Sequence, residues 1–237
     1  MSPTISLAGP PTTAKYIALQ RTHLQPKAAR LARRLFGKRL FDRSLLPYFL
    51  SADQILASYS DEIRAEYQEL ATWLPPKAAN ILDIGCGLAG IDVFLFAHYS
   101  VNSPHIYLMD KTRTDEAIHY GHEKVASFYN DLALAQQLLT RNGVPAANIH
   151  PVEAEQGAIA RLPARFDLIL SLLSWGFHYD LVTYLDEALR ALAPGGAIII
   201  DVRKDSPSFT ELSDRFGTRY DIIADFSKHR RIRIAPS

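Results

Sequence analysis

The residues whose types and spacing favour chemistry lie near the middle of the chain. Gly85, Gly87 and Gly90 follow a short apolar run, Asp83 stands just before them, and Asp110 comes twenty residues after the last glycine. Glycines at this spacing after a strand allow a tight turn and let a ligand approach the backbone. An acid at the end of the next strand can accept hydrogen bonds from both hydroxyls of a ribose. The pattern therefore predicts a site for an adenosine-containing molecule.

Two adenosine cofactors fit this pattern, a nicotinamide dinucleotide and S-adenosylmethionine, and several features favour the second. The Asp83 carboxylate would repel a pyrophosphate but can accept hydrogen bonds from an ammonium group. The chain after the motif is long enough for one sheet and leaves no obvious second catalytic domain. A third strand ends in Glu153-Ala154, where the acid could accept from an adenine amino group and the next N–H could donate to a ring nitrogen.

Alternating strands and helices position these residues. The helices are predicted at 88–98, 131–141, 179–192 and about 207–216. The strands are predicted at 80–84, 105–110, 149–152, 166–172, 197–202, 220–226 and 231–235, the last two close enough to form a hairpin. This alternation predicts an α/β fold, a doubly wound and mostly parallel seven-stranded sheet with helices on both faces.

The chain before Pro75-Pro76 has a different, helical pattern. Residues 1–14 look flexible. Helices are predicted at 26–41, 52–58 and 61–73, the last two with Ser51 and Ser60 as N-caps. The first of these is a basic amphipathic helix with Ala28, Leu31 and Leu35 on one face. We place a boundary at residue 75, with an N-terminal helical cap over 1–75 and the doubly wound domain over 76–237.

Charge is unevenly distributed along the chain. Residues 1–50 carry nine Lys/Arg and one acid, whereas residues 51–200 carry nine basic and eighteen acidic residues. The basic segment, 15–43, is either a solvated helix face or a docking surface for nucleic acid, a membrane surface or another anionic partner. Its acid-free stretch up to Phe41 also resembles an organelle transit peptide in composition. Cys86 is the single cysteine, which excludes an internal disulfide and favours a cytoplasmic location. No apolar run reaches the length of a membrane span.

The sequence LDIGCG at 82–87, the acids at 110 and 153, and APGG at 193–196 together resemble a class I S-adenosylmethionine-dependent methyltransferase over about residues 76–237. The resemblance implies a Rossmann-like sheet whose last strand is reversed, with S-adenosylmethionine as cofactor. It implies that the Gly-rich turn holds the methionine end, the acid after strand two the ribose, and the end of strand three the adenine. By motif position, the methionine end would contact Asp83, Gly85 and Gly87. The ribose would contact Asp110, and the adenine would contact Glu153 and Ala154.

The segment after strand four resembles a narrower group. Trp-Gly-Phe-His-Tyr at 175–179, with Phe128-Tyr129-Asn130 and Asp201-Val202-Arg203, is similar to bacterial proteins labelled sugar O-methyltransferases. This resemblance implies methyl transfer to a hydroxyl of a sugar or another small molecule. Ligands in open α/β sheets bind at the carboxyl ends of the strands, so this segment should face the methyl group.

A neutral hydroxyl benefits from a general base, and His178 is the best candidate. His119 and His122, in the long loop after Asp110, are alternatives. Trp175 and Tyr179 could stack on the substrate or belong to the core. Arg203 could bind an anionic substrate or pair with a neighbouring acid. No metal site is expected, because the histidines are scattered.

Four further residues are expected near the cofactor. Tyr59 could reach the methionine carboxylate from the cap, Lys111 could flank the ribose or adenine, and Cys86 and Ser171 could line the turn and the end of strand four. Two other functions remain open: an RNA or protein methyltransferase that docks through the basic N-terminus, and a non-catalytic cofactor-binding module. The module would retain Asp83 and Asp110 but need no base at 178.

Overall fold

The computed structural model of the chain describes residues 5–37, 45–112, 117–120, 123–127, 130–217 and 219–235. The helices are α1 (Pro11–Gln20), α2 (Lys27–Phe36), α3 (Ala52–Leu70), α4 (Gly90–His98), α5 (Leu132–Arg141), α6 (Leu185–Ala191) and α7 (Pro207–Phe216). The strands are β1 (Asn80–Ile84), β2 (His105–Asp110), β3 (Ala117–Tyr120), β4 (Glu123–Ser127), β5 (Ile149–Glu153), β6 (Phe166–Ser171), β7 (Ser174–Tyr179), β8 (Leu192–Arg203), β9 (Asp221–Asp225) and β10 (His229–Ile234).

Seven strands form the main sheet in the order β5-β2-β1-β6-β8-β10-β9. The strands β5, β2, β1, β6 and β8 pair in parallel, whereas β10 is antiparallel to both β8 and β9. The predicted doubly wound, seven-stranded sheet with a reversed last strand is confirmed. The carboxyl ends of β1, β2, β5, β6 and β8 therefore lie along one edge, where ligands bind in sheets of this kind.

The sheet forms because its central strands are apolar on both faces. In β1, Ile81 packs into an apolar core on one face, and its neighbour Leu82 packs into a second core on the other. Continuous apolar runs of this type need helices on both sides. The predicted strand positions agree with the structure within one or two residues, except that β8 begins at Leu192 rather than at 197.

The segment before residue 75 packs on one face of this sheet. Tyr67 of α3 lies 5.5 Å from Phe94 of α4 between ring centroids, and both belong to the same apolar core as Ile81. Arg231 of β10 donates to Glu69 of α3 at 3.1 Å. Helices α1 and α3 therefore share the core of the sheet, whereas Ala29 and Ala32 of α2 pack in a separate small cluster.

Two expectations for this segment are wrong. The helices predicted at 52–58 and 61–73 are one continuous helix, because Ser60 is buried within it and donates its hydroxyl to Leu56 O at 2.8 Å instead of capping a new helix. Residues 11–14, expected to be loose, are helical, since α1 begins at Pro11; upstream, Leu7 is buried and its N–H donates to the Ser60 hydroxyl at 2.9 Å.

The basic helix α2 is shorter than predicted, and the face that it buries is not the predicted one. Ala29 and Ala32 are buried, whereas Leu31 and Leu35, expected on the buried face, are 59% and 73% exposed. The apolar side of the helix is therefore only partly covered by the described part of the chain.

The segment after β6 also differs from expectation. A helix was predicted from residue 179, but β7 continues to Tyr179, and α6 begins only at Leu185. Gly176 allows this path, since its φ is +83° and a Cβ atom there would lie 2.9 Å from Asp201 O. Among the described residues, no helix combines the length and apolar character needed to cross a membrane.

Candidate functional site

The Gly-rich turn and the acid after β2 are joined directly. Gly85 and Gly87 have φ values of +76° and +55°, a region that disfavours other residues. The Gly87 N–H donates to Asp110 Oδ2 at 2.9 Å, and the Lys111 N–H donates to Oδ1 at 2.7 Å. Burial raises the pKa of Asp110 to about 6, while these two N–H groups oppose the shift. The structure thus brings together the two motifs that the sequence places twenty residues apart.

A cavity of about 580 Å³ opens beside this turn. Its volume lies in the range of small-molecule and cofactor sites. Its walls come from the turn, from the cap and from the segment after β6. The lining residues include Arg21, Tyr59, Asp83, Ser174 and His178.

Asp83, at the end of β1, lies in this cavity wall next to a second buried acid, Asp92 of α4. Asp83 is 3% exposed and Asp92 is 0% exposed. No N–H or hydroxyl of another described residue donates to the Asp92 carboxyl oxygens. Burial raises the pKa of Asp83 well above its usual value, and the neighbouring Asp92 raises it further. The pair suits a cationic group.

The cap closes the other side of the cavity. Arg21, at the end of α1, pairs with Glu62 at 2.9 Å and Glu66 at 3.0 Å on α3, and its guanidinium carbon lies 5.3 Å from the centre of the Tyr59 ring. Burial by itself lowers the pKa of Arg21, but Glu66 and Tyr59 outweigh burial and raise it. Arg21 is therefore a charged residue in the wall of the cavity. It belongs to the basic segment 15–43, but its side chain faces the cavity.

Tyr59 lines the cavity, but its hydroxyl is directed at the start of α4. It is 4% exposed, and a Cβ atom at Gly90 would lie 2.5 Å from its hydroxyl oxygen. Burial raises the pKa of Tyr59, and the Gly90 N–H opposes this shift. Its contact with the methionine carboxylate stays a prediction.

Ser171 and Trp175, both expected in the site, are structural. The Ser171 hydroxyl is buried, donates to Ile84 O at 2.7 Å and accepts from the Trp175 N–H at 3.0 Å. Trp175 is fully buried, and its indole N–H donates to Leu181 O at 2.8 Å. The burial of Trp175 favours the core, the second of its two alternatives. The Ser171 hydroxyl is used within the core, so cofactor binding through this hydroxyl is not supported. Ser174 lies against Gly85 instead.

His178 is exposed on β7 and lines the cavity. The adjacent Tyr179 is half-buried; burial raises its pKa, and the charge of Asp110 raises it further. Arg203 pairs with Asp205 and lies over the Phe177 ring at 5.8 Å, which favours the second of its two alternatives, pairing with a nearby acid.

The ends of β2 and β5 lie side by side, as expected for an adenine site. Asp110 pairs with Glu153 in the sheet register, and Glu153 Oε1 accepts from the Thr112 N–H at 3.3 Å. The Ala154 N–H donates to Asp110 O at 2.9 Å. The expectation that Ala154 donates to an adenine ring nitrogen is therefore wrong, because that hydrogen is already used. Lys111, next to Asp110, is half-buried, and Cys86 lines the cavity as expected for a turn residue.

Several predicted residues fall elsewhere. His122, Phe128 and Tyr129 lie outside the described residues, and His119 belongs to β3, whose side chains are not described. In the described ranges, no three His, Cys, Asp or Glu side chains converge as a metal site would need.

Sequence reasoning missed Arg21, Asp92 and Ser174. Asp92 carried a signal, since it is an acid inside the apolar run Gly90–His98. The sequence contains no signal for Arg21, because its partners Glu62 and Glu66 are about forty residues away and no local pattern links them to it.

The fold is shared with solved methyltransferase structures. A protein of Nostoc punctiforme, provisionally described as an O-methyltransferase, superposes with a TM-score of 0.50 and 16% identity, covering 76% of this chain and 58% of that one. A 16S rRNA methyltransferase of T. thermophilus, solved with AdoMet and guanosine, superposes with a TM-score of 0.50 and 14% identity, covering 75% and 43%.

A similar sequence is the chloroplastic tocopherol O-methyltransferase of Arabidopsis thaliana. It is 28% identical over 124 residues, which cover 52% of this chain. The match spans only 30% of that relative's length. No family model matches the chain.

Proposed function

We propose that this chain is an S-adenosylmethionine-dependent methyltransferase that methylates a hydroxyl of a sugar or another small molecule. The observation that carries the proposal is the meeting of three elements: the Gly-rich turn and Asp83 line one cavity, and Asp110 accepts the Gly87 N–H of that turn. The similarity to O-methyltransferases over half of the chain supports the same reading.

The residues present fit this cofactor better than a dinucleotide. Two buried carboxyls at Asp83 and Asp92 suit the ammonium of a methionine and would repel a pyrophosphate. Asp110 has acceptor capacity for ribose hydroxyls beyond the two N–H groups that it already binds. When bound, S-adenosylmethionine supplies a methyl group on a positively charged sulfur, which is already activated for displacement.

The protein's part in the reaction is then alignment and proton removal. Alignment of two reactants can lower a barrier by about 7–11 kcal/mol in favourable cases. His178, at the exposed end of β7, takes the proton from the acceptor hydroxyl as its oxygen attacks the methyl carbon. A general base of this kind typically accelerates the reaction by about 10²–10⁴-fold.

The test is transfer of a labelled methyl group to a panel of sugars and other hydroxyl compounds. His178→Ala should lower kcat by roughly 100-fold or more and leave S-adenosylhomocysteine affinity unchanged. The matched control is His105→Ala, because His105 is exposed, pairs with His150 and lies at the opposite end of β2 from Asp110. Unchanged turnover in His178→Ala would remove the base from this position. Cofactor binding without transfer to any acceptor would favour the non-catalytic module.

A second candidate is an RNA methyltransferase. The specific observation in its favour is the exposed basic face of α2, formed by Lys27, Arg30 and Arg34. Nucleic-acid binding through this face would weaken steeply with salt. Replacing the three residues by Gln should then weaken RNA binding and reduce its salt dependence, whereas small-molecule methylation would be unaffected.

A further inference from the structure

Asp92 does not line the cavity, yet it is a fully buried acid next to Asp83, which does. It lies in the first turn of α4, beside Asp83. We infer that Asp83 and Asp92 form a carboxyl pair that holds one proton and releases it to solvent when an ammonium group binds in the cavity. The inference rests on the proposed cofactor, whose methionine end carries that ammonium.

The shared proton follows from the surroundings of the two side chains. Each is almost completely buried, and no N–H or hydroxyl of another described residue donates to Asp92. Two adjacent carboxylates cannot both be ionised in such a place without a large cost in free energy. A hydrogen bond from a protonated Asp83 to Asp92 removes one charge and gives one Asp92 oxygen a donor.

Most charged groups packed around the pair favour the protonated form. Asp110 approaches from β2 and Glu66 from α3, and both raise the pKa of Asp83 after burial and Asp92 have done so. Cys86 of the turn and Tyr59 of α3 are neutral neighbours, since burial raises both of their pKa values. Arg21 is the nearby cation, and Glu62 and Glu66 already balance its charge.

An ammonium group can replace the proton, because it brings a positive charge next to the pair and N–H donors to Asp83, the member of the pair that lines the cavity. The pair then becomes doubly ionised, and the released proton goes to solvent. A carboxylate or phosphate group has neither a positive charge nor N–H donors. The pair therefore also favours a ligand with a cationic group at this position over a ligand with an anionic group. Asp92 is thus a positioning residue that acts through Asp83.

The experiment is calorimetric titration with S-adenosylhomocysteine near pH 6.5, in two buffers that differ in ionisation enthalpy. The wild-type protein should release about one proton per ligand bound, as linkage requires for a group that loses its proton on binding. Asp92→Asn should release close to none, because the Asn amide donates to an Asp83 that is already ionised. The matched control is Asp53→Asn, an exposed acid on α3, which should release as many protons as wild type.

Tight binding with no proton release in wild type would overturn the inference and leave the proposed function intact. Equal proton release from wild type and Asp92→Asn would also overturn the inference and leave the proposed function intact. If no variant binds S-adenosylhomocysteine, the proposed function fails instead. The pair is then tested by infrared spectroscopy at pH 7, where wild type must show a carboxylic-acid C=O band that Asp92→Asn lacks.

Discussion

The carboxylate of Asp110 accepts the N–H of Gly87 at 2.9 Å, and this bond joins the end of β2 to the turn that follows β1. The two strands pair in parallel with Ile84 opposite Met109, and the Gly85 N–H donates to Met109 O at 2.7 Å. Asp110 and the Gly-rich turn are therefore held by one hydrogen-bond network. Changes at either position should alter both ligand binding and stability.

Gly85→Ala should abolish ligand binding and destabilise the protein by roughly 2–4 kcal/mol. The new methyl group would overlap the Ser174 side chain, and the backbone has a φ of +76°. Chemical denaturation measures the loss. Gly143→Ala is the control, since Gly143 has a φ of +87° but nothing within 4 Å of its Cβ position, so it measures backbone strain alone.

In the double variant Gly85→Ala with Ser174→Gly, the new methyl group no longer overlaps the Ser174 side chain. The double variant should therefore recover the stability lost through this overlap, but not the stability lost through the positive φ at residue 85. A double variant as unstable as Gly85→Ala alone would show that Ser174 does not restrict this position.

Trp175→Phe should cost about 1–3 kcal/mol of stability, because it leaves the buried Leu181 O without the indole donor. The KM for any acceptor should not change, since Trp175 is fully buried in the core. Thermal melts and initial-rate kinetics distinguish the two effects. A raised KM in a protein of unchanged stability would return Trp175 to the substrate site.

The ligand-free protein should lose stability as the pH rises from about 4 to 7. The buried acids Asp83, Asp92 and Asp110 have folded-state pKa values above the usual 3.8, with Asp110 at about 6. In that window the folded state binds more protons than the unfolded state, so stability falls with pH until the folded-state pKa values are passed.

Asp92→Asn should flatten this dependence and raise the melting temperature most at the upper end of the window, because its amide hydrogen does not titrate. Melting curves at several pH values measure the effect. Parallel pH profiles for wild type and Asp92→Asn would contradict the assignment of raised pKa values to this pair.

The central strands of the sheet could be predicted because they are apolar runs followed or preceded by turn-forming residues. The start of α1 could not, because Pro10-Pro11-Thr12-Thr13 looks like a loop, although proline is well suited to the first turn of a helix. Ser60 was misplaced for a related reason. A serine favours an N-cap by local preference, but here its burial against Leu7 decides its role.

The motif residues of the candidate site could be predicted from the sequence. The residues that reach the site only through tertiary packing could not. Gly85, Gly87, Asp83 and Asp110 meet as expected, since parallel strands end at one edge. Ser171 was expected to line the site, but its hydroxyl bonds within the core, and Ser174 lies against Gly85 instead. The sequence does not show which hydroxyl forms the buried hydrogen bonds.

The most direct test of the proposed function is calorimetric titration of wild type and Asp110→Asn with S-adenosylhomocysteine, with NADH as the control ligand. Asp110→Asn keeps an acceptor for the Gly87 N–H but loses the charge that strengthens hydrogen bonds from ribose hydroxyls. We predict that wild type binds S-adenosylhomocysteine and not NADH, and that the variant binds it at least about tenfold more weakly while remaining folded. Binding of NADH without S-adenosylhomocysteine would contradict the account and indicate a dinucleotide site.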